Sequence, residues 1–280
     1  MKANLSACVP VFPARQGVNR RPSGLMTVVQ LTDRDRELLA FVAEHRIVLG
    51  AHVQALLEVS PKAARGRLRS LTAAGLLRRV PVFHRPGDCH QITGKGLALI
   101  GSRLPRPRVD LRSYEHDVGI AWLWLAARAG TFGALREIVS ERRMRSHEAT
   151  EDGRQVPLAV RLGGVGRGGR ERLHYPDLVL VDVTGKRIAF ELELSGKART
   201  RREMILAGYG ADARIDAVVY LVDDPAVWRA IEQSARKLGI EDRIHVQRVR
   251  LGGSCAAPAA STSRVAQRTG DLALTGASSR

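Results

Sequence analysis

The feature that most constrains the fold of this chain is a pair of apolar runs that are separated by a short turn and interrupted by acidic residues. The first run covers residues 175–182 and the second covers residues 187–194. Between them, Gly185 can adopt the positive φ angle that hairpin turns commonly require. The sequence therefore predicts a β-hairpin whose strands carry both apolar and carboxylate side chains.

Alternation along the second strand separates these side chains into an apolar face and an acidic face. Successive side chains of a strand point to opposite faces, so Glu191 and Glu193 lie on the face opposite Leu192. A three-residue turn pairs Leu178 with Leu192 and makes the apolar faces coincide, whereas a two-residue turn mixes apolar and acidic side chains. The same register places Asp177 opposite Glu193, with Glu191 on the same face.

Three carboxylates, those of Asp177, Glu191 and Glu193, are therefore expected to converge. Like charges held close together raise each other's pKa unless a cation lies among them. Mg²⁺ takes oxygen ligands of this kind, often one or two carboxylates together with water and phosphate. A bound Mg²⁺ can activate water and stabilise a leaving phosphate oxygen. The alternative is an exposed hairpin face with ordinary surface acids, and the hairpin alone leaves both interpretations open.

The hairpin resembles the core of the PD-(D/E)XK nucleases. Pro176 and Asp177 match the PD of that motif, and the segment from Glu191 to Glu193 occupies the (D/E)XK position. The chain departs from the pattern because Glu193 stands where the lysine is expected, although Lys197 follows four residues later and is a candidate for a displaced lysine. The resemblance implies Mg²⁺ ligands at Asp177, Glu191 and Glu193, and a catalytic Lys197 that positions water or stabilises the transition state.

Net charge points to the partner. The 280 residues contain 45 Lys and Arg against 28 Asp and Glu, a formal net charge of +17. Such an excess favours binding to a polyanion, most simply nucleic acid. Basic charge is also common on ribosomal and membrane-surface proteins, so it does not decide the function alone.

Other features of composition concern compartment and domain number. No apolar run is long enough to span a membrane, so no membrane partner is expected. The cysteines, Cys8, Cys89 and Cys255, lie far apart without a paired spacing, which favours a reducing cytoplasm. The length predicts two modest domains, and residues 1–30 and 252–280 are predicted to be disordered tails.

The first predicted domain, residues 31–104, has the pattern of a winged helix-turn-helix. Thr32 is a good N-cap, and Ser60 followed by Pro61 is a strong helix start. The pattern predicts helices at residues 33–45, 51–58 and 61–74. Two ribbon strands follow at residues 76–83 and 89–92, and a short helix at residues 93–102. In a winged helix the third helix enters the major groove and the ribbon follows the DNA backbone.

Basic residues follow this predicted third helix and ribbon, and residues 60–80 contain no acid. The predicted DNA-binding residues are Lys62, Arg65, Arg67, Arg69, Arg78 and Arg79. Some of these contacts should go to phosphate and be independent of sequence. The alternative is a protein-interaction module with a solvated basic face.

The second predicted domain, residues 105–251, follows a proline-containing linker. Around the hairpin, the pattern predicts helices at residues 112–129, 198–207 and 225–238, and strands at residues 135–144, 216–222 and 243–249. Residues 145–172 are predicted to form a basic, glycine-rich loop near DNA, and His116 is expected to have a structural role. This element order matches a restriction-endonuclease-like core, so the predicted fold class is α/β with a mixed sheet.

With both domains in view, the chain resembles the replication-relaxation family of plasmid and integrative-element proteins, which is related to MobC-type mobilisation proteins. The resemblance covers about residues 31–250. It rests on the winged-helix start and on the segments 115–117, 140–145, 176–177, 191–197 and 208–209. It implies DNA binding during plasmid replication or DNA transfer, with a relaxase or a replication protein as a candidate partner.

Three functions are consistent with these patterns. The leading hypothesis is a DNA-binding protein of a mobile element that contacts double-stranded DNA through its winged helix. The alternative is a Mg²⁺-dependent endonuclease or relaxase-like nickase that uses the carboxylates of the hairpin. The third is a protein-recruitment adaptor without catalysis, and salt-sensitive DNA binding would argue against it.

Overall fold

The computed structural model describes residues 31–81, 89–148 and 158–249, and it shows a mixed α/β protein. The predicted tails and the predicted turn at residues 84–88 lie outside the described residues. No helix within the described ranges has the length and apolar character needed to cross a membrane.

The first half of the chain is mainly helical. Its elements are α1 Asp33–Glu44, β1 Val48–Leu49, α2 Gly50–Leu57, α3 Pro61–Ala73, β2 Leu77–Val80, β3 Cys89–Ile92 and α4 Gly94–Leu99. Local capping explains the helix starts: the Thr32 hydroxyl accepts a hydrogen bond from the backbone N–H of Asp35, and Ser60 caps α3 in the same way. Gly75, with a φ of +73°, ends α3. The predicted helix starts are confirmed.

A third strand completes the sheet of the first half. The order is β1-β3-β2, and β1 pairs antiparallel with β3 through Val48 and Leu49. The sequence analysis missed β1 because two apolar residues between helices carry no strand periodicity. Its pairing partner lies about forty residues further along the chain, so only the tertiary fold reveals it.

The second half contains a five-stranded mixed sheet. Its elements are α5 Tyr114–Arg128, β4 Leu135–Ser140, α6 Glu141–Glu148, β5 Val160–Val165, β6 Glu171–His174, β7 Leu178–Asp182, β8 Arg187–Glu193, α7 Arg199–Ala211, β9 Ala217–Val222, α8 Pro225–Leu238 and β10 Ile244–Arg248. The sheet order is β10-β9-β8-β7-β4, with the β8-β9 and β9-β10 pairs parallel and the β8-β7 and β7-β4 pairs antiparallel.

Two predictions for the segment between α5 and β7 are wrong. The predicted strand over residues 135–144 ends at Ser140, whose hydroxyl accepts a hydrogen bond from the backbone N–H of Arg143 and so starts α6. Part of the predicted loop over residues 145–172 is the two-stranded sheet of β5 and β6. Its glycines conceal the strand pattern, and packing against α7 stabilises it.

The register of the central hairpin also differs from the prediction. Leu178 pairs with Phe190 and not with Leu192. The prediction is wrong because the hairpin connection is longer than three residues: the last pair between β7 and β8 is Val181 with Arg187, and the Asp182 carboxylate that follows accepts a hydrogen bond from the backbone N–H of Thr184 at 2.8 Å. Both registers bring the apolar faces together since they differ by two residues, so burial alone cannot distinguish them.

Helix α5 packs against both halves of the protein. Ile120, Leu123 and Ala127 join the core formed with one face of the five-stranded sheet, which also contains the predicted apolar residues of β8. Ala121 and Leu125 pack into the core of the first half. The opposite face of the sheet is covered by α7, α8 and the β5-β6 pair. The two predicted domains therefore share a helix.

Candidate functional site

The acidic face of the hairpin is buried. We use the term acidic face for Asp177, Glu191 and Glu193. The exposed fractions of Glu191 and Glu193 are 3% and 7%, so the interpretation of ordinary surface acids is wrong. Burial of a carboxylate is unfavourable unless the charge is paired and hydrogen-bonded, and the structure shows the partners of all three side chains.

Glu191 is paired with two side chains from neighbouring elements. Its Oε1 lies 2.6 Å from Nε2 of His174, at the end of β6, and accepts a hydrogen bond from the hydroxyl of Tyr209 on α7. Burial raises the pKa of Glu191, but the His174 charge and both hydrogen bonds outweigh it, so the pKa is lowered. Burial and the Glu191 charge raise the pKa of Tyr209, which keeps its hydroxyl protonated as the donor.

Glu193 is paired with Lys197. The Lys197 ammonium forms a salt bridge with Oε2 of Glu193, so the structure brings the displaced lysine to the acidic face. A cavity of about 250 Å³ lies beside this pair, and Arg202 and Tyr220 also line it. Arg202 is held by hydrogen bonds from Nε to the hydroxyl of Ser234 at 3.0 Å and from Nη1 to the carbonyl of Lys197 at 3.2 Å.

Asp177 lies at the start of β7, beside Leu192 and not opposite Glu193 as predicted. Its Oδ2 accepts hydrogen bonds from the backbone N–H of Leu192 at 2.8 Å and from Nε2 of His116 at 3.0 Å. Burial lowers the pKa of His116, but hydrogen bonds and charges of Asp117 and Asp177 outweigh it and raise the pKa to about 10. At neutral pH, His116 is therefore an imidazolium that neutralises Asp177.

A chain of ion pairs extends from this position into the first half of the protein. Arg46 contacts Asp117 at 3.3 Å and Glu141 at 2.6 Å, and Arg145 contacts Glu141 at 2.7 Å. Arg142 adds hydrogen bonds to the backbone carbonyls of residues 43 and 105, at 3.0 and 2.6 Å. The segments 115–117 and 140–145, which are distant in sequence, therefore meet at the junction of the two halves.

Side chains of the protein itself contact the acidic face. In the part of the chain that the structure describes, no group of three or more His, Cys, Asp or Glu side chains is arranged to hold a metal ion. Asp177 contacts His116, Glu191 contacts His174, and Glu193 contacts Lys197. As placed, these carboxylates do not fit a shared Mg²⁺ ion.

Helix α3 presents the opposite situation. Lys62, Arg65 and Arg69 are exposed and form no hydrogen bond or ion pair with any described residue. We call these three residues the basic row. The opposite side of the helix is buried through Ala64 and Leu68, which belong to the core of the first half. The predicted separation of basic and apolar faces is confirmed.

The remaining predicted DNA-binding residues differ from the basic row. Arg67 forms a salt bridge with the buried Asp35 of α1, so its guanidinium holds two helices together. Burial raises the pKa of Asp35, but hydrogen bonds from Arg67 and Thr32 outweigh it and lower the pKa. Arg78 is exposed while it donates two hydrogen bonds to Oε1 of Gln91, at 3.1 and 2.6 Å. Arg79 is also exposed.

Sequence analysis did not identify His174 and Tyr209 as partners of the acidic face. Both residues reach Glu191 from other elements. His174 has no local sequence signal, and Tyr209 lies in the segment 208–209 that carries the family resemblance but has no signal that indicates this contact. For His116 a signal was present, because it lies in one of the segments that carry the family resemblance and has an acid on either side. The expected structural role of His116 agrees with its hydrogen bond to Asp177.

Comparisons with known proteins leave the function to be argued from these surfaces. No protein-family model matches the chain, and searches of curated proteins and of solved structures give no match. The resemblance to the replication-relaxation family stays a prediction from sequence segments.

Proposed function

We propose that the protein binds double-stranded DNA through α3 and acts in replication, relaxation or mobilisation of a plasmid or integrative element. The observation that carries this proposal is the basic row, three exposed cations without a partner among the described residues. Lys62 and Arg69 are seven positions apart, which corresponds to about 10 Å along the helix axis. That length suits the contact of one helix with a DNA groove and its flanking phosphates.

The surroundings of α3 support a DNA-binding role. The helix is fixed against α1 by the Arg67–Asp35 salt bridge and by its buried apolar side. The β2-β3 pair follows directly and exposes Arg78 and Arg79. Three helices followed by a small antiparallel sheet suit a winged helix, in which a rigid helix and a neighbouring ribbon contact DNA together.

The net charge of +17 supports the same proposal because it steers a polyanion towards the protein. A cytoplasmic location and a relaxase or replication protein as partner belong to this proposal. The expectation of a relaxase or a replication protein as partner rests only on the family resemblance. A recruitment adaptor without DNA binding is the competing function for the basic row.

The test is duplex binding measured by fluorescence anisotropy over a range of salt concentrations. We expect Arg65→Ala with Arg69→Ala to weaken binding about thirtyfold near physiological salt and to reduce the salt slope by about two. The matched control removes two exposed charges at the β7-β8 turn, Lys186→Ala with Arg187→Ala, and should behave like wild type. Equal binding by both variants, or no salt-sensitive binding by wild type, would overturn the proposal.

The second candidate function is a metal-dependent DNA endonuclease or nickase. The observation in its favour is that Glu191 and Glu193 are buried on one face with Lys197 beside them. Burial of two carboxylates costs desolvation free energy, which a bound cation can offset. Bound Mg²⁺ would have to compete with Lys197 and His116 for the same carboxylates.

A supercoiled-plasmid nicking assay with Mg²⁺ or Mn²⁺ tests this second function. Wild type is compared with Asp177→Ala and Glu191→Ala, each checked for folding by circular dichroism. Nicking by wild type that both folded variants lose would establish the enzyme. Tight binding of the same plasmid without nicking would leave DNA binding as the function.

A further inference from the structure

The β5-β6 ribbon is a second charged surface, on different elements from the basic row. We define the ribbon as Val160–Val165 and Glu171–His174 together with the connecting residues 166–170. Among the strands that the structure describes, its two strands pair only with each other. A two-stranded ribbon has little stability of its own, so its position depends on what its base contacts.

The base of the ribbon is firmly attached. Val160 and Leu162 are buried in the core between the sheet, α7 and α8. At Gly208 of α7, a Cβ atom would lie 2.6 Å from Cγ1 of Val160 and 2.7 Å from the carbonyl oxygen of Arg161, so only glycine permits this approach. His174 ends the ribbon at Glu191. The ribbon therefore extends from the edge of the acidic face.

The outer part of the ribbon is exposed and basic. Arg170 and Arg172 are exposed, and their side chains make no hydrogen bond or ion pair with any residue that the structure describes. Arg161 is exposed as well but pairs with Glu171 at 3.2 Å. Val165 is 74% exposed. Two guanidinium groups are thus available to a ligand.

Glycines shape the tip of the ribbon. Four glycines, Gly163, Gly164, Gly168 and Gly169, have φ angles between +69° and +75°, which residues other than glycine rarely adopt. A Cβ at any of these positions would meet no atom within 4 Å, so backbone conformation, and not packing, requires glycine. At these four positions no side chain covers the backbone, so a bulky anion can approach it closely.

We propose that the β5-β6 ribbon is a second DNA-binding surface that contacts the sugar–phosphate backbone of the same duplex as α3. This inference rests on the proposed DNA-binding function and adds a contact of defined chemistry. Arg170 and Arg172 each neutralise a phosphate, and the glycine tip lets the backbone approach closely. Such contacts add affinity and fix orientation without reading the sequence.

The experiment uses the full chain and one duplex, labelled with a fluorophore for anisotropy and with a radioactive phosphate for footprinting. Wild type, Arg170→Ala with Arg172→Ala, Arg65→Ala with Arg69→Ala, and the control Lys186→Ala with Arg187→Ala are compared by anisotropy and by hydroxyl-radical footprinting. We expect the ribbon variant to bind about tenfold more weakly, with a salt slope reduced by about two. It should lose backbone protection at one flank of the footprint and retain the protection that the α3 variant loses.

Replacement of the same two residues by lysine keeps the charge, so we expect Arg170→Lys with Arg172→Lys to bind within about threefold of wild type and to restore the flank. A ribbon variant with the affinity, slope and footprint of the control would overturn the ribbon proposal while α3 binding stands. Failure of wild type to bind the duplex would overturn the proposed function instead.

Discussion

The acidic face and the basic row differ in whether their charges are buried and paired. On the acidic face, Glu191 and Glu193 are buried, and they contact the side chains of His174 and Lys197. On the basic row, Arg65 and Arg69 are exposed and have no partner among the described residues. A charge that is already paired contributes to the fold, whereas an unpaired exposed charge is available to a ligand.

This comparison separates two kinds of evidence for function. Acidic residues at motif spacing point to chemistry when the sequence alone is considered, yet in the structure they already contact side chains of the protein, Glu191 that of His174 and Glu193 that of Lys197. The basic residues carry a weaker sequence signal, because exposed arginine and lysine are common. Their availability, together with the net charge, nevertheless makes them the better basis for a functional proposal. Substitutions that alter stability in one region and binding in the other can test this contrast.

The largest effect on stability is expected at Glu191. Its replacement by alanine removes the partner of His174 and Tyr209 and leaves their polar groups in a buried site. We expect Glu191→Ala to lower the free energy of unfolding by about 3 kcal/mol. Urea denaturation measures it, with the exposed Glu241→Ala as control. Equal midpoints for the two variants would show that the buried pairing contributes nothing.

The pairing of His116 with Asp177 predicts a pH dependence. The pKa of His116 is raised from its ordinary value of 6.5 to about 10 in the folded protein. The folded state therefore retains a proton that the unfolded chain releases. The stabilisation is fully present below pH 6.5 and is lost as the pH rises through 10.

We expect wild type to lose on the order of 2 kcal/mol of stability between pH 7 and 10 relative to His116→Gln, which cannot titrate. Urea denaturation of both proteins across this pH window measures the difference. The difference should be small at pH 10 and grow towards pH 7. Parallel stability curves would contradict the assignment of a charged His116.

Local signals account for the parts of the fold that the sequence could predict. Thr32 and Ser60 cap their helices through side chains three residues from the amides they bind, so a short segment contains the whole interaction. The alternating faces of β8 follow from strand geometry in the same way. Residues 141–144 are helical and not the predicted strand because the Ser140 hydroxyl caps α6 at the backbone N–H of Arg143.

The rest depends on contacts between distant residues. His116 and Asp177 are 61 positions apart, and Glu191 meets Tyr209 only after α7 packs on the sheet. The hairpin register could not be obtained from burial since a shift of two residues preserves the faces. The acids of the candidate site could therefore be predicted, but their contacts with His116 and His174 could not.

Two arginines on α3 allow the comparison to be made within one helix. Arg67 holds the buried Asp35, whereas Arg65 has no partner among the described residues. We expect Arg67→Ala to lower the free energy of unfolding by about 1.5 kcal/mol, because Asp35 then keeps only its hydrogen bonds to Thr32. Arg65→Ala should leave stability unchanged within about 0.3 kcal/mol and should weaken DNA binding.

Urea denaturation and duplex binding, both measured on these two single variants, check the contrast. Because the two positions are on the same helix and carry the same charge, net charge and helix propensity are matched. A loss of stability in Arg65→Ala as large as that in Arg67→Ala would remove the distinction between paired and available charges on α3.

Among the paired charges, the smallest effect is expected at Lys197, which is paired but 35% exposed. Solvent screening weakens its attraction to Glu193, so we expect Lys197→Ala to lower the free energy of unfolding by about 0.5 kcal/mol. Lys186→Ala, which removes an exposed charge without a side-chain partner among the described residues, should change it less. Urea denaturation distinguishes the two. A loss at Lys197 as large as that of Glu191→Ala would mean that the whole acidic face acts as one cooperative unit, and not as separately neutralised carboxylates.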